Sequence, residues 1–446
     1  MPRVSAVSAD DAEESRYGDA GRVAAAGLSL APFRGLRYNP ERVSSLAAVT
    51  SPPYDVVDAD GRLKLETGDP HNVVRLILPR PQPTAESGYR HAAKLLAAWQ
   101  RSGVLAPDPT PALYVYEQQS PPEQGGTLQR GLIGALAVSG SQAGVVLPHE
   151  DVMPRPVADR VGLMRTTKAN LEPILLTYRG DGTAADTIER TALTTPLLTT
   201  TTSDGTTHRL WGITAQDEIA AVSKDLATCR ALIADGHHRW AMYLRLQREH
   251  RYVANSPWDR GLVLLVDTAR YPLRVRAIHR VLRQLPVPKA LDALGPAWGT
   301  TEVGPSQSDA LTALANAKSA GFNAFLLAGD GLFRLLTGPD KATLDAAVPT
   351  DRPAEYRRLD ATVLHSVLLD RVWNVPDAPE HIGYLHDTTA AVREAEQSGG
   401  TAVLLHPVAE GVVRRLAEQG VTMPRKSTSF GPKPATGLVL RSLLLG

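Results

Sequence analysis

The sequence predicts a mixed α/β (α+β) protein, because short strand patterns alternate with helical patterns along most of its length. The apolar runs at 173–178 and 261–266 are typical of buried strands. Apolar side chains recur at helical spacing from Tyr89 to Trp99 and predict an amphipathic helix over about 86–101. With 446 residues, the chain is long enough for two or three domains.

The other elements are predicted from local patterns of the same kind. An apolar run at 73–78, closed by Pro79, predicts a strand, and the runs at 113–116 and 132–138 predict a strand pair. A helix entered through Pro156 should precede the 173–178 strand. Near the C-terminus, Gly329-Asp330-Gly331 between two apolar runs predicts a hairpin, and residues 402–405 predict another strand.

Composition shifts suggest three parts of the chain. Residues 1–27 are small and charged without an apolar period, which predicts a disordered tail. Pro286 and Pro288 mark a boundary between an N-terminal α/β domain, 28–285, and a C-terminal α/β domain, 286–446.

Charge and cysteine content exclude several classes of protein. The net charge is +1, so bulk binding to nucleic acid is not expected, and no apolar run approaches the roughly 20 residues that span a bilayer. The N-terminus has acidic residues where a secretory signal has basic and apolar ones, which predicts a cytoplasmic protein without membrane contact. The single cysteine, Cys229, excludes a disulfide within the chain and is expected to be a small buried apolar side chain.

The sharpest chemical feature is Asp235-Gly236-His237-His238-Arg239 between an apolar strand at 231–234 and a helix. Gly236 permits a tight turn, and the N-terminus of the helix favours an anion. Arg239 can hold phosphate oxygens bidentately, with His237 or His238 as further donors. Two alternatives stay open: a capped helix with solvated histidines, or metal binding by the two histidines.

Three other segments carry candidate residues. His149-Glu150-Asp151 precedes the predicted helix, so Glu150 is either a general base or a capping residue. Tyr54 and Asp55, in a proline-fixed turn, could line a pocket. The segment 423–433 contributes lysines and hydroxyls suited to phosphate, although it lacks the glycines of a Walker loop and could be a solvated basic tail.

Seven short motifs, in consistent order from about residue 28 to the C-terminus, resemble a large bacterial and archaeal family catalogued as a domain of unknown function (the DUF-1015 type). They are Phe33-Arg34-Gly35-Leu36-Arg37-Tyr38, Pro52-Pro53-Tyr54-Asp55-Val56, Asn72-Val73-Val74-Arg75-Leu76, Leu147-Pro148-His149-Glu150, Ala158-Asp159-Arg160, Ala234-Asp235-Gly236-His237-His238-Arg239 and Pro424-Arg425-Lys426-Ser427-Thr428.

Within this span, about residues 140–270 resemble the core of the ParB/sulfiredoxin superfamily, in particular its free-serine kinases. They share a His-Glu pair, a helix, a Pro-Ile strand and an Asp-Gly-His-His-Arg turn. The resemblance implies that Glu150 activates a substrate hydroxyl and that residues 237–239 bind nucleotide phosphates. It also implies that Asp235 lies near substrate or metal. About sixty residues, including a threonine-rich stretch, separate the Pro-Ile strand from the turn, which departs from the pattern.

These observations lead to one functional hypothesis with two alternatives. The hypothesis is a phosphotransferase that moves phosphate from ATP or ADP, with Mg²⁺, to a small hydroxylated metabolite, possibly serine. The alternatives are a nucleotide-binding switch of ParB type and a sulfiredoxin-like redox role that would require Cys229. Neither metal ligands nor an oligomeric state are assigned. The candidate residues are Glu150, Asp235 and His237 for catalysis; Gly236, His238, Arg239, Lys426, Ser427, Thr428 and Lys433 for phosphate; and Tyr54, Asp55, His149, Asp159 and Arg160 for the substrate pocket.

Overall fold

The structure, a computed structural model, describes residues 27–81, 83–251, 253 and 255–445. The predicted disordered tail lies outside these ranges except for its last residue, Gly27. Helices and strands alternate through the chain, which confirms the mixed α/β class. Two large sheets define what we call the first and second lobes.

The first lobe is built on a nine-stranded sheet that combines parallel and antiparallel pairs. A short strand, Leu30–Ala31, pairs with Leu128–Ala137 outside the main path. The order across the sheet is Val146–Leu147, Ala231–Asp235, Ile174–Tyr178, Arg260–Asp267, Leu128–Ala137, Leu113–Gln119, Thr207–Ile213 and Leu198–Thr201. The Ala231–Asp235 strand therefore lies near one edge, and the motif turn follows its carboxyl end.

The second lobe is built on a six-stranded sheet in which every pair is antiparallel. Its order is Gly299–Gly304, Phe333–Thr337, Ala324–Ala328, Thr401–Leu405, His279–Leu282 and Ile382–Leu385. The predicted hairpin at Gly329-Asp330-Gly331 is confirmed as the antiparallel pair Ala324–Ala328 and Phe333–Thr337.

Two small sheets bring the end of the chain back to the first lobe. One has the order Leu105–Pro107, Gly35–Tyr38, Leu440–Ser442 and Ala169–Asn170; the other pairs Arg274–Arg276 with Ser429–Gly431. We call residues 423–436 the closing segment. It contains the Ser429–Gly431 strand and leads to the Leu440–Ser442 strand.

Helices cover both faces of each large sheet. The α-helices are Leu46–Val49, Ala59–Gly68, Val74–Ile77, Ala85–Arg101, Pro154–Thr167, Thr183–Ala192, Gln216–Leu226, His237–Glu249, Val287–Asp292, Gln307–Ser319, Lys341–Ala347, Ala354–Arg357, Asp360–Val363, Thr388–Ser398 and Glu410–Glu418, with a π-helix at Leu364–Val372 and 3₁₀ turns at Pro40–Arg42, Tyr54–Val56, Pro122–Gln124, Ser141–Ala143 and Pro257–Asp259. No helix within the described ranges is long and apolar enough to cross a membrane.

The core of the first lobe has two apolar layers, one on each face of its sheet. Trp240, Tyr243 and Leu246 of the His237–Glu249 helix pack in one layer. Val413 and Leu416 of the Glu410–Glu418 helix pack in the other, although that helix is more than a hundred residues beyond the sheet's last strand. The apolar stripe of each helix explains this packing, because it removes large side chains from water.

The predicted boundary at residue 286 stays a prediction, but the sheets do not divide the chain at that point. The strand His279–Leu282 already belongs to the sheet of the second lobe, and Leu440–Ser442 pairs with Gly35–Tyr38 of the first part of the chain. The chain thus crosses between the lobes at least twice.

One predicted strand is wrong: residues 73–78 form the short helix Val74–Ile77. The side-chain oxygen of Asn72 accepts a hydrogen bond from the backbone N–H of Val74, at 2.9 Å, and its amide donates to the carbonyls of Ala48 and Thr50. A short, fully buried apolar run has no periodicity that separates strand from helix, so these side-chain contacts decide it. The predicted helix over 86–101 is confirmed as Ala85–Arg101, and the helix expected from Pro156 begins at Pro154.

Candidate functional site

The motif turn has the predicted strand, turn and helix arrangement. Gly236 adopts a positive φ of 102°, and the helix begins directly after it at His237. A Cβ at position 236 would lie 3.1 Å from Nε of Arg239, so a larger residue would be strained there and crowded as well. No side chain among the described residues caps this helix, which leaves the backbone N–H groups of its first turn available to an anion.

Arg239 is buried and its two terminal nitrogens are already bound within the protein. Nη1 donates to the carbonyl of Pro173 at 2.8 Å, and Nη2 donates to Oδ2 of Asp235 at 2.6 Å. Burial opposes its charge, but Glu172, Asp235 and Asp55 together raise the pKa of Arg239 above its ordinary value. In this structure Arg239 orients Asp235 and ties the turn to the adjacent strand, and its predicted contact with phosphate stays a prediction.

The histidines of the site are neutral acceptors of backbone hydrogen bonds. Nε2 of His237 accepts from the N–H of His149 at 3.3 Å, and Nε2 of His238 accepts from the N–H of Met153 at 3.1 Å. Burial lowers the pKa of His237 well below its ordinary value, with further lowering from His149 and His238. Burial also lowers the pKa of His238. These contacts fix the 149–153 segment against the motif turn.

His149 is itself a structural link between this segment and the closing segment. Its ring is 1% exposed, packs edge to face on His237 at a centroid distance of 4.5 Å, and lies 2.9 Å from the hydroxyl of Thr428 through Nε2. Burial lowers the pKa of His149 to about 4. The ring of His149 is therefore enclosed and contacts protein on both sides. Its predicted place in a substrate pocket stays a prediction.

Glu150 faces the closing segment. Its Oε1 accepts a hydrogen bond from the backbone N–H of Lys426 at 2.8 Å. Burial raises the pKa of Glu150, and nearby Asp235 adds to the increase, while Lys426 and Arg280 act against it. A half-buried carboxylate with a raised pKa, held by one hydrogen bond, has the properties of a general base.

Lys433 joins two acidic residues from distant parts of the first lobe. Its Nζ lies 2.7 Å from Oδ2 of Asp55 and 2.6 Å from Oδ1 of Asp235. Burial opposes ionisation of Asp55, but Lys433 and Arg239 outweigh it and lower the pKa of that carboxyl. Burial likewise opposes the charge of Lys433, which the two carboxylates restore by raising its pKa.

The loop that carries Lys433 is held by the face of the large sheet. The hydroxyl of Tyr116 accepts from the N–H of Ala435 at 3.1 Å, and the side-chain amide of Gln118 donates to the carbonyl of Pro432 at 3.1 Å. Thr436 pairs with Ser51 through two backbone hydrogen bonds. The closing segment thus meets the motif turn through contacts that no local sequence pattern reveals.

The other predicted pocket residues form a layer beside the turn. The guanidinium of Arg160 lies 4.3 Å above the ring of Tyr54, and Nη1 of Arg160 donates to the carbonyl of Ile77 at 2.7 Å. Asp159 accepts from Arg160 and from the hydroxyl of Tyr89. Burial raises the pKa of Tyr54 to about 12. Asp159 and Arg160 therefore bind each other and neighbouring protein groups. A substrate pocket would need their polar groups to face a ligand, so their place in the predicted pocket stays a prediction.

The predicted phosphate residues of the closing segment differ in what they face. Lys426 is exposed and has a positive φ of 58°, which directs its backbone N–H to Glu150. The hydroxyl of Ser427 donates to the carbonyl of Pro424 within its own loop, and that of Thr428 contacts His149. Lys426 is the residue of this group whose charged end is exposed to solvent.

Two buried charged residues near the site are not among those that the sequence singles out. Glu172 is 5% exposed, accepts from the N–H of Tyr54 at 2.9 Å, and has a pKa raised by burial. Arg280, in a strand of the second lobe, is fully buried and influences Glu150. Both sit in apolar stretches, where an isolated charged residue is the one signal that could have identified them.

Two alternative chemistries have little support from the side chains at the site. Among the described residues, no group of three or more His, Cys, Asp or Glu could hold a metal ion. Cys229 is buried, and burial raises the pKa of its thiol to about 11, so it is a poor nucleophile. The Nε2 atoms of His237 and His238 already accept backbone hydrogen bonds, which argues against a metal site made by these two histidines, and the raised pKa of the Cys229 thiol argues against the sulfiredoxin-like role.

The chain belongs to the family described as "Protein of unknown function (DUF1015)", whose model matches residues 30–362. This confirms the family resemblance drawn from the seven motifs. No curated protein matches the chain significantly.

Three solved structures show a distant likeness. A variant of a free serine kinase in complex with ADP is 13% identical, with 64% of this chain and 84% of that chain covered and a TM-score of 0.34. A conserved hypothetical protein from Pyrococcus furiosus is 15% identical, covering 68% and 94%, with a TM-score of 0.34. SbnI from Staphylococcus aureus, truncated at its C-terminus, is 10% identical, covering 67% and 82%, with a TM-score of 0.31. Values this low assign no activity to this chain.

Proposed function

We propose that this protein is a nucleotide-dependent phosphotransferase that acts on the hydroxyl group of a small metabolite. The observation that carries the proposal is the carboxylate of Glu150, which burial makes more basic and which Lys426 N–H holds at 2.8 Å. It lies in the segment that His237 and His238 fasten to the uncapped start of a helix. A base beside an anion site is the minimum that phosphoryl transfer to an alcohol requires.

In the proposed reaction, Glu150 takes the proton from the acceptor hydroxyl as its oxygen attacks the terminal phosphorus of ATP or ADP. The bond from that phosphorus to the bridging oxygen breaks, and the nucleotide leaves one phosphate shorter. Backbone N–H groups at the start of the His237–Glu249 helix and the charge of Lys426 would stabilise the developing negative charge. Serine is the first acceptor to test.

Mg²⁺ would enter with the nucleotide instead of occupying a site made by the protein alone. Asp55 and Asp235 are two carboxylates that converge on one point, 2.7 and 2.6 Å from Nζ of Lys433. Mg²⁺ commonly uses one or two carboxylates together with substrate phosphates, so this pair fits such a partial site if Lys433 moves to a phosphate. Bound Mg²⁺ would neutralise phosphate charge.

The central experiment compares wild-type protein with Glu150→Gln. Thermal stabilisation by ATP, ADP, CTP and GTP with Mg²⁺ identifies the nucleotide, and acceptor-dependent release of the shortened nucleotide measures turnover. We expect Glu150→Gln to keep nucleotide binding and to lose at least about 100-fold in kcat, because it removes the base without changing size. In the wild type, kcat should rise with pH through a pKa above 4.5, the ordinary value for this carboxyl.

Asp151→Asn is the matched control, since Asp151 is the next carboxylate along the chain and is exposed. It should keep full turnover. Equal turnover in Glu150→Gln and wild type would contradict the proposal. Nucleotide binding without turnover on any acceptor would instead favour the nucleotide-binding switch, and stabilisation by no nucleotide would contradict both.

A further inference from the structure

A cleft of about 290 Å³ borders the closing segment outside the Glu150 site. Its walls come from the end of the Gln307–Ser319 helix, from residues 355–361, and from residues 405–412. Met423 and Ser427 of the closing segment complete it. The charged and polar groups proposed below to meet a ligand there take no part in the candidate phosphotransfer site.

Most of the side chains that line the cleft are apolar. Leu359, Leu405, Val412 and Met423 contribute to its walls, and alanine, valine and proline side chains fill the spaces between them. A concave surface of this kind favours a ligand with an apolar body, because binding removes apolar area from water on both partners.

The charges around the cleft leave an excess of cations. Nζ of Lys318 lies 2.9 Å from Asp360, and Glu355 is paired with Arg415 at 2.7 Å, so the two acidic residues of the lining are neutralised. Arg358 is exposed, and within the described ranges its guanidinium makes no hydrogen bond or ion pair.

His406 is a further polar residue of the lining. Its Nδ1 donates to the carbonyl of Pro407 at 2.9 Å, which leaves Nε2 without a hydrogen bond in the described part of the chain. With its proton on Nδ1, the neutral ring presents the lone pair of Nε2, which does not pair with a carboxylate, so Arg358 is the group that an acidic ligand would meet without displacing an internal ion pair.

We propose that this cleft binds a small organic acid, with an apolar body against the aliphatic wall and a carboxylate at Arg358. The proposal is independent of the phosphotransferase function, because none of its contacts involve nucleotide. It does predict contact with the closing segment, whose Met423 N–H donates to the carbonyl of His149 at 2.8 Å. A ligand in the cleft would therefore affect the position of the segment beside Glu150.

The test uses the full chain without nucleotide and two matched probe pairs, benzoate with benzyl alcohol and hexanoate with 1-hexanol. Saturation-transfer NMR and calorimetry measure their affinities. We expect saturable binding of both acids, with each alcohol weaker by about tenfold or more because it cannot pair with a guanidinium. Arg358→Gln should reduce acid affinity to that of the alcohol, whereas Arg393→Gln, at an exposed arginine on another helix, should not change it.

Variants that fill the cleft distinguish binding at this site from weak binding elsewhere on the surface. Val412→Trp occupies the cavity and should abolish binding of both acids, and Ala409→Phe, at an exposed lining position, gives the same test if the first variant unfolds. Equal affinity for acids and alcohols, binding that survives the filling variants, or no saturable binding by either acid would each overturn the proposal.

Discussion

Two buried arginines, one in each lobe, are in opposite electrostatic situations. Arg239 of the first lobe lies 2.6 Å from Asp235, and carboxylates raise its pKa. Arg280 of the second lobe has no carboxylate within 4 Å among the described residues; Nη1 donates to the carbonyl of Ile278, and Nη2 faces Nε2 of His365 at 3.0 Å. Burial accordingly lowers the pKa of Arg280 to about 10.

The comparison shows that burial alone does not define the role of a charged residue. The carboxylates around Arg239 offset the cost of removing its charge from water, so removing the arginine would leave these buried acids with one cation fewer. Arg280 bears that cost with weaker compensation, and its nearest long-range acidic partners include Glu150, the proposed base. Arg239 is thus a stabilising element, whereas Arg280 supplies positive potential towards the site.

The largest effect is expected for Arg239→Met. Because Asp235 would keep only Lys433 as a cation and Glu172 would lose its strongest positive neighbour, the free energy of unfolding should fall by roughly 3–5 kcal/mol. Chemical denaturation at pH 7 measures this. Arg245→Met on the same helix is the control, since Arg245 forms an exposed pair with Glu249 at 3.3 Å and should cost under about 1 kcal/mol. Equal losses in the two variants would contradict the stabilising role of Arg239.

A smaller loss is expected for Lys433→Met, which leaves Asp55 and Asp235 facing each other without their shared cation. We expect about 1–3 kcal/mol at pH 7. The pKa of Asp55 is lowered in the folded protein, so its contribution is present above the ordinary value of 3.8 and is lost as pH falls through the lower folded value. The difference between variant and wild type should therefore shrink in acid.

Chemical denaturation of Lys433→Met at several pH values measures that trend. Lys341→Met provides the comparison, because Lys341 is exposed and its ion pair with Asp345 lies at the surface. A loss in Lys433→Met that stays constant down to acidic pH would show that the two carboxylates are not its cause.

The smallest change in stability is expected for Arg280→Met, within about 1 kcal/mol of wild type, because the variant removes a buried charge that lacks a close counter-ion. A clearer effect of the variant is expected at His365. Burial, followed by the charge of Arg280, lowers the pKa of His365 to about 4. NMR titration of the His365 ring should show a higher pKa in the variant. An unchanged pKa, or a loss as large as that of Arg239→Met, would remove the contrast between the two arginines.

Much of the local structure follows from the sequence. The strand, turn and helix around Gly236 are correct, because a glycine at a positive φ and two apolar periods act over a few residues. The strand expected at 73–78 is wrong for a related reason: its conformation depends on Asn72 binding carbonyls more than twenty residues away. The periodicity of apolar residues does not reveal contacts between residues so far apart in the chain.

The sequence predicts which residues belong to the candidate site better than it predicts what those residues contact. The sequence singles out Lys433 as a phosphate ligand, while the structure brings it to Asp55 and Asp235. It also singles out Arg239, whose terminal nitrogens are occupied within the protein. Glu172 and Arg280 were missed, because each is a single charged residue without a motif around it.

The α/β class, the family and the motif turn at 235–239 could all be read from the order of residues, since each depends on residues close together in the chain or on motifs in fixed order. Which charges meet is set in three dimensions: Lys433 is about two hundred residues from Asp235, yet its Nζ lies 2.6 Å from that carboxylate. Electrostatic interaction depends on distance through space and on burial. The protonation of Glu150 and the state of both buried arginines are consequently properties of the fold.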